Sequence, residues 1–315
     1  MTQQEINALL SGFIRRAEAE KLPVEAIVWM QGETPVWQYR SCPDVPRNIY
    51  SHTKSFTGTA VGICIDEGLL HLTDRVVDFF PEYLPEGAES TVGQITLRDA
   101  LTMSSGLMEP LLMTPERKRG VGAPDYLRFV LSHPLKAAPG SAFCYSNGDT
   151  YLAARMVEKV TGMRLDRFVA ERVFRPLGID ENARWEIDPM GHTLGGSGLF
   201  LKCGDMCKLG ALYLQNGVYA GKRIVSQAWV DDARRVHIAS NPNPHPDPDD
   251  WNCGYGYQCW NLPRGEAYQF NGAYGQYSLI LPEHGAVIGV QCTENDVTGS
   301  LTRALQGEVL SRLYD

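Results

Sequence analysis

Strand-like segments occupy the two ends of this 315-residue chain and are nearly missing from its middle. Near the start, "EAIVWM" and "PVWQYRS" surround the turn-like "QGET" and read as a hairpin. Near the end, "CGYGYQCWNL", "EAYQFNGAYGQYSLILPE" and "GAVIGVQCTEN" are aromatic, β-branched and partly alternating, as sheet strands are. Between them the pattern is helical, in "ITLRDALTM", "APDYLRFVLSH", "GDTYLAARMVEKVTG", "RLDRFVAERVFRPLG" and "GDMCKLGALYLQNG". A sheet that uses both groups of strands must bring the chain ends together and leave the middle as an insertion. The spacing predicts an α/β (α+β) plan. Residues 1–70 and 216–315 form the sheet-containing domain, and residues 71–215 form a mainly helical domain. Ile6, Leu9, Leu10 and Phe13 recur at helical spacing, so an amphipathic N-terminal helix and the closing "SLTRALQGEVLSRLYD" flank the sheet.

Composition narrows the function classes. Hydrophobic residues make up 43% and charged residues 21%, a globular balance. The net charge of −8 comes without a basic stripe, which argues against a nucleic-acid partner. No apolar run has membrane-spanning length, and the N-terminus lacks an apolar export core, so neither a membrane nor an oxidising compartment is indicated. The eight scattered cysteines (42, 64, 144, 203, 207, 253, 259, 292) are then expected as reduced thiols in the cytoplasm. Cys203 and Cys207 have i, i+4 spacing, but no second pair has ligand spacing, so core-facing thiols are expected and no metal or cofactor is predicted.

Three short motifs carry candidate chemistry. The helix expected from Ser51 to Glu67 is apolar around most of its circumference and stops at Gly68, with Gly58 and Gly62 allowing other backbone to come close. Residues three apart share a helix face, so Lys54 can reach the Ser51 hydroxyl and assist its deprotonation if burial lowers its own pKa. The Ser51 amide, without an intrahelical partner, can bind an oxyanion. The competing reading makes Ser51 an N-cap and Lys54 a solvated side chain. In "FCYSNGD", Tyr145 and Asn147 follow a Pro-Gly turn; a tyrosine becomes a useful base only if an adjacent ammonium lowers its pKa, and otherwise it is a buried aromatic beside a turn-forming Asn. In "YQFNGAYGQYS", Gly272 and Gly275 permit close backbone approach, and the Ala273 amide could donate a second oxyanion hydrogen bond; alternatively the glycines mark a bend.

Ser-x-x-Lys, Tyr-x-Asn and a Gly-containing strand follow one another in an order that resembles the serine β-lactamase-like superfamily of lactamases, penicillin-binding peptidases, esterases and amide hydrolases. The stretches "DEGLLHLTDRVVDFFPEYLP", "ITLRDALTMSSGL", "PLKAAPGSAFCYSNGDTYLAARMVEKVTG", "VFRPLGI", "GGSGLFLKCGDMCKLGALYLQNG" and "GYGYQCW" extend the resemblance along nearly the whole chain. It implies an antiparallel sheet with the active site in a cleft against the helical domain. It also implies that Ser51 is the acylated nucleophile, with Lys54 and Tyr145 as a coupled proton-handling pair. Asn147 would hold substrate or Lys54, and the amides of Ser51 and Ala273 would form the oxyanion hole. A small-molecule ester or amide is the implied substrate, and a catalytically inert binding protein on the same fold is the rival.

One departure bears on substrate. Where lactamases and peptidases begin the third motif with a cation, this chain has Phe270-Asn271-Gly272. Phe270 would offer apolar contact and no charge, with Asn271, Gly272 and Tyr274 completing that side of the site, so an esterase or small-amide hydrolase is favoured over a lactamase or D-peptidase. Arg264 is a cation six residues upstream whose position the sequence does not fix. His52 points about 100° away from Ser51 on a helix and is not expected as the base. Ser104, Ser105 and Gly106 read as a structural turn, Asp149 and Asp205 as helix caps, and Trp251, Tyr255, Tyr257, Trp260 and Tyr274 as an aromatic group divided between pocket and core. The role of the loop at 241–250 stays open.

Overall fold

A computed structural model describes residues 1–84, 92–122, 124–240, 253–295 and 298–314. The helices that position the site are α1 (Gln3–Ala19), α2 (Thr53–Asp66), α3 (Asn147–Thr161), α4 (Cys203–Leu214) and α5 (Thr298–Leu305). The main sheet contains β1 (Val24–Gln31), β2 (Thr34–Arg40), β3 (Trp260–Asn261), β4 (Tyr268–Gly272), β5 (Gln276–Leu281) and β6 (Ala286–Cys292). Their spatial order is β2-β1-β6-β5-β4-β3, every pair antiparallel, so the chain ends meet where β1 pairs with β6. Pro35 falls in β2, an edge strand, opposite Met30 where the register with β1 shifts, the kind of place a sheet tolerates proline. The other edge, β3, is kept to two residues, which limits the unpaired backbone it presents.

Helices cover both faces of this sheet, so β1 is buried along its length up to Gln31, and alternate side chains feed two cores. Ile27 and Trp29 join Leu10 and Phe13 of α1 and Leu301 of α5 on one side. Ala26, Val28 and Met30 join Leu209 and Leu212 of α4, and the larger core beyond, on the other. The α1 spacing has its predicted effect: Ile6, Leu9, Leu10 and Phe13 are all buried. Thr2 and Glu5 start this helix with a capping box, worth about 1 kcal/mol.

Helix α4 falls within the stretch 71–215 read as the helical domain, yet it lies across β1, β5 and β6. Its two cysteines explain the fit. Cys203 and Cys207 are buried, and a β-carbon at Gly289 of β6 would stand 2.2 Å from the Cys207 sulfur. Helix α2 is buried from Thr53 through Cys64 and packs on α3. Gly62 serves a side chain rather than a backbone, since a β-carbon there would meet the Trp229 indole at 2.5 Å, whereas Gly58 makes only ordinary contact with Gln258.

The two aspartates do not cap helices. Ser146 caps α3 and Lys202 stands at the N-cap of α4, leaving Asp149 and Asp205 at the third helical position. Asp149 instead accepts from the Ser105 hydroxyl at 2.8 Å and the Ser105 N–H at 3.3 Å, tying the Ser104–Gly106 turn to α3. Asp205 pairs with Lys208 at 2.8 Å. The loop at 241–250 and Trp251 lie outside the described residues.

Candidate active site

Ser51 sits in a single 3₁₀ turn, Tyr50–His52, that leads into α2. The turn is shaped from both sides. Tyr50 adopts φ +47°, a conformation a bulky residue rarely takes, and its N–H donates to Asn48 Oδ1 at 2.9 Å. His52 turns into the core, its Nε2 2.9 Å from Ser278 Oγ on β5 and its ring against Phe56 and Phe270. Burial brings the His52 pKa down to about 3, so the ring is an uncharged structural pin.

Lys54, one turn beyond Ser51, is 1% exposed, which removes the solvated-lysine reading. Its Nζ donates to Asn147 Oδ1 and to the Gly196 carbonyl at 2.7 Å, and lies 3.3 Å from Ser51 Oγ. Burial holds the amine well below the usual lysine range; the Arg117 guanidinium pushes the same way and Asp149 opposes it. Asn147, in the first turn of α3, is itself anchored by a bond from Nδ2 to the Leu112 carbonyl at 2.9 Å.

Tyr145 stands beside this pair, with Lys54 Nζ 4.8 Å from its ring centroid and the Trp260 ring 5.4 Å away. An adjacent lysine ammonium is expected to lower the tyrosine pKa. The structure gives the opposite direction: burial raises it, and the polar side chains of Ser51 and Trp260 only partly compensate. The physical reason is shared. One dry site disfavours ammonium and phenolate alike, so it favours a neutral amine next to a neutral phenol.

The third motif is divided by the parity of β4. Phe270 pairs with Ser278 and is 2% exposed, packed on His52 and Tyr213 in the core behind α2, so it gives no apolar wall to the site. Asn271 is also buried, and it pairs with Tyr277, whose ring lies in the core under the terminal helices, so it too faces away from Ser51. Gly272 meets the nucleophile turn: a β-carbon there would lie 2.0 Å from the Ile49 carbonyl and 3.1 Å from the His52 nitrogen. That contact sets the end of β4 against the Ser51 turn and puts the exposed Ala273 next along the hairpin. Tyr274 follows at φ +62°, its ring edge-on to Tyr50 at 4.9 Å on the rim.

The aromatic group separates likewise. Tyr255 and Trp260 pack with Phe143 and Tyr145, whereas Tyr257 stacks on His237 and Trp229 away from the centre. Arg264 lines a cavity with Arg303, Gln306 and Leu310 at the terminal helices and supplies no cation to Ser51. A separate cavity of about 320 Å³ begins at Tyr50 and is walled by Asn48, Lys118, Phe200, Gln276 and Glu294. Sequence reasoning missed Gly196, Leu112 and Arg117 as neighbours of the centre. The "GGSGLF" glycines are a visible signal for the first; "PERKRG" reads as a solvated charge run and hides the last.

A six-stranded antiparallel sheet with helices on both faces, and a serine–lysine–tyrosine group beside α2, are the architecture of β-lactamase- and penicillin-binding-protein-like serine hydrolases. The octameric penicillin-binding protein homologue from Pyrococcus abyssi superposes with a TM-score of 0.73 over 96% of this chain and 76% of its own, at 21% identity. EstCE1, described as a hydrolase with promiscuous acyltransferase activity, superposes with a TM-score of 0.75 over 97% of this chain and 99% of its own, at 18% identity. The chain belongs to the Beta-lactamase family, whose model matches residues 26–310. Among curated relatives, the 6-aminohexanoate-dimer hydrolase of Paenarthrobacter ureafaciens is 26% identical over 226 residues, 67% of this chain and 57% of that protein. The lovastatin esterase of Penicillium rubens is 32% identical over 155 residues, 42% of this chain and 38% of that protein. The matches thus span less than two thirds of these relatives' length.

Proposed function

We propose that this chain is a serine hydrolase that needs no metal and cleaves an ester or small amide through an acyl-enzyme on Ser51. The observation that carries the reading is the hydrogen-bond set of Lys54. A neutral amine has two N–H donors and one lone pair. Asn147 Oδ1 and the Gly196 carbonyl take the donors, which leaves the lone pair for the Ser51 hydroxyl. Lys54 therefore accepts the Ser51 proton as the oxygen attacks. Tyr145, protonated in the resting site, hands a proton to the leaving group and takes the one held by Lys54, which returns the pair to its neutral state. The amides of Ser51 and Ala273, brought together by the Gly272 contact, hold the tetrahedral oxyanion.

Three features support the substrate class. No cation stands at the start of the third motif, where a lactam carboxylate would need one, because Phe270 occupies it and is turned into the core. The cavity beside Tyr50 has Lys118 and Glu294 on its wall, which suits a polar acyl or leaving group. The two relatives named above are called a 6-aminohexanoate-dimer hydrolase and a lovastatin esterase, and one acyl-enzyme route serves amides and esters alike. The cytoplasm is the compartment we assign, where the eight cysteines, which form no disulfide among the described residues, would persist as thiols. No helix among the described residues is long and apolar enough to cross a membrane.

The test is to expose the full chain to a fluorophosphonate and to p-nitrophenyl acetate and locate any adduct by mass spectrometry. The adduct is expected on Ser51 and should vanish with turnover in Ser51→Ala; unchanged turnover in that variant refutes the reading. Nitrocefin, run alongside, should be turned over at least 100-fold more slowly than the ester.

A further inference from the structure

Leu112 holds backbone strain directly against Asn147, one of the Lys54 partners. Its φ is +56°, a left-handed conformation that costs a residue with a β-carbon about 1–2 kcal/mol. Its peptide groups are clamped to keep it there. The N–H donates to the Glu116 carboxylate at 2.5 Å, and the carbonyl accepts from both Asn147 Nδ2 and Arg117 Nη1. Arg117 belongs to the short helix Thr114–Arg119, yet its side chain is only 5% exposed. Its Nε and Nη2 donate to the two carboxylate oxygens of Glu186 at 2.8 and 2.9 Å. A desolvated guanidinium is expensive to keep in place of a solvated one, and core packing alone does not ask for it.

We propose that Arg117 is a positioning residue for the Ser51 centre: through the Leu112 carbonyl it shares with Asn147, it fixes that amide on Lys54 and adds a positive potential that Glu186 partly offsets. Its catalytic consequence rests on the hydrolase reading above, whereas its effect on Lys54 does not. The groups facing Lys54 are Ser51 and Tyr145, the Asn147 amide and Asp149 carboxyl from α3, the Gly196 carbonyl, and Arg117 behind Asn147. Glu186 and Tyr126 face Arg117 in turn, and Glu116 binds the N–H of the adjoining Leu112. Arg117 disfavours the ammonium and Asp149 favours it, with burial the larger influence. The two members of the Arg117–Glu186 pair must then move Lys54 in opposite directions, which a general loss of packing cannot do.

The experiment follows the Lys54 signal of full-length protein labelled with ¹³C at the lysine ε-carbon, titrated by NMR in the wild type, Arg117→Gln, Arg117→Lys and Glu186→Gln. Removing the guanidinium should raise the Lys54 midpoint by about one pH unit. Glu186→Gln should lower it by less, since that carboxylate is 41% exposed and partly screened. Arg117→Lys should keep the midpoint, because the charge remains, while kcat on p-nitrophenyl acetate falls several-fold as the fork-shaped bridge to Leu112 and Glu186 is lost. An unmoved midpoint in both Arg117→Gln and Glu186→Gln, or a shift of both in one direction, overturns the proposal. Opposed shifts in a protein that hydrolyses neither an ester nor a small amide and takes no fluorophosphonate on Ser51 would sustain Arg117's role and refute the hydrolase reading instead.

Discussion

Asp149 shows how strongly this site penalises charge. It is 1% exposed, and burial, with Asp99 nearby, raises its pKa to about 7 against the bonds from Ser105 and the attraction of Lys54. A carboxyl whose folded pKa is raised favours the protonated form on folding. Its contribution to stability is complete below about pH 4 and is lost as pH rises to about 7. Urea unfolding at pH 5 and pH 8 should therefore show a pH-dependent loss on the order of 2–3 kcal/mol in the wild type that is mostly missing in Asp149→Asn. An equal loss in the variant would show that Asp149 is already ionised at pH 5. Lys54 and Tyr145 obey the same physics with their own signs, and that accounts for the reversed expectation for Tyr145. The Ser51–Lys54 pair was legible because it is local, and Tyr145 was placed with it only by the resemblance of the motif order. The direction of the Tyr145 shift was not legible, because it depends on how much water three separate chain segments exclude.

At the scale of elements, the end of β4 and the turn before α2 form one unit. Gly272 is what lets them touch, and Gly272→Ala would drive a β-carbon into the Ile49 carbonyl. The expected outcome is a loss of about 1–3 kcal/mol in stability as the backbones separate. Turnover of p-nitrophenyl acetate should fall on the order of 100-fold, because the Ala273 amide is displaced from the oxyanion. Thermal melts with steady-state kinetics measure both, and a variant that keeps full turnover would remove Ala273 from the proposed hole. The same strand marks the limit of sequence reading. A half-exposed strand announces its faces by alternation, but β4 is buried at all five residues and β5 at all six, so nothing in "YQFNG" tells whether Phe270 or Asn271 looks toward the serine. Phe270 was read into the pocket and belongs to the core. Arg117 was hidden for the converse reason, since a charged run on a six-residue helix looks solvated until its partners Leu112 and Glu186, one of them 69 residues away, are placed around it.

At the scale of the molecule, the two-ended sheet was legible because strand-type and helical periodicities separate cleanly along the chain, and β1 beside β6 is what that separation requires. The place of α4 was not, since a helix buried against a sheet and one buried among helices carry the same apolar pattern. This architecture seals α2 between the sheet core and α3, and the sealing gives Lys54 its chemistry. Our central claim is that Lys54 activates Ser51 as a neutral amine. The most direct measurement is the pH dependence of kcat/KM for p-nitrophenyl acetate in the wild type and in Lys54→Met. Because the amine must be unprotonated, the rate should rise with pH through one ionisation and reach its plateau well below the ordinary lysine value of 10.5, while Lys54→Met should lose at least 100-fold and the ionisation with it. A rate that rises only near the ordinary lysine value, or a Lys54→Met variant that keeps the wild-type profile, would contradict the account.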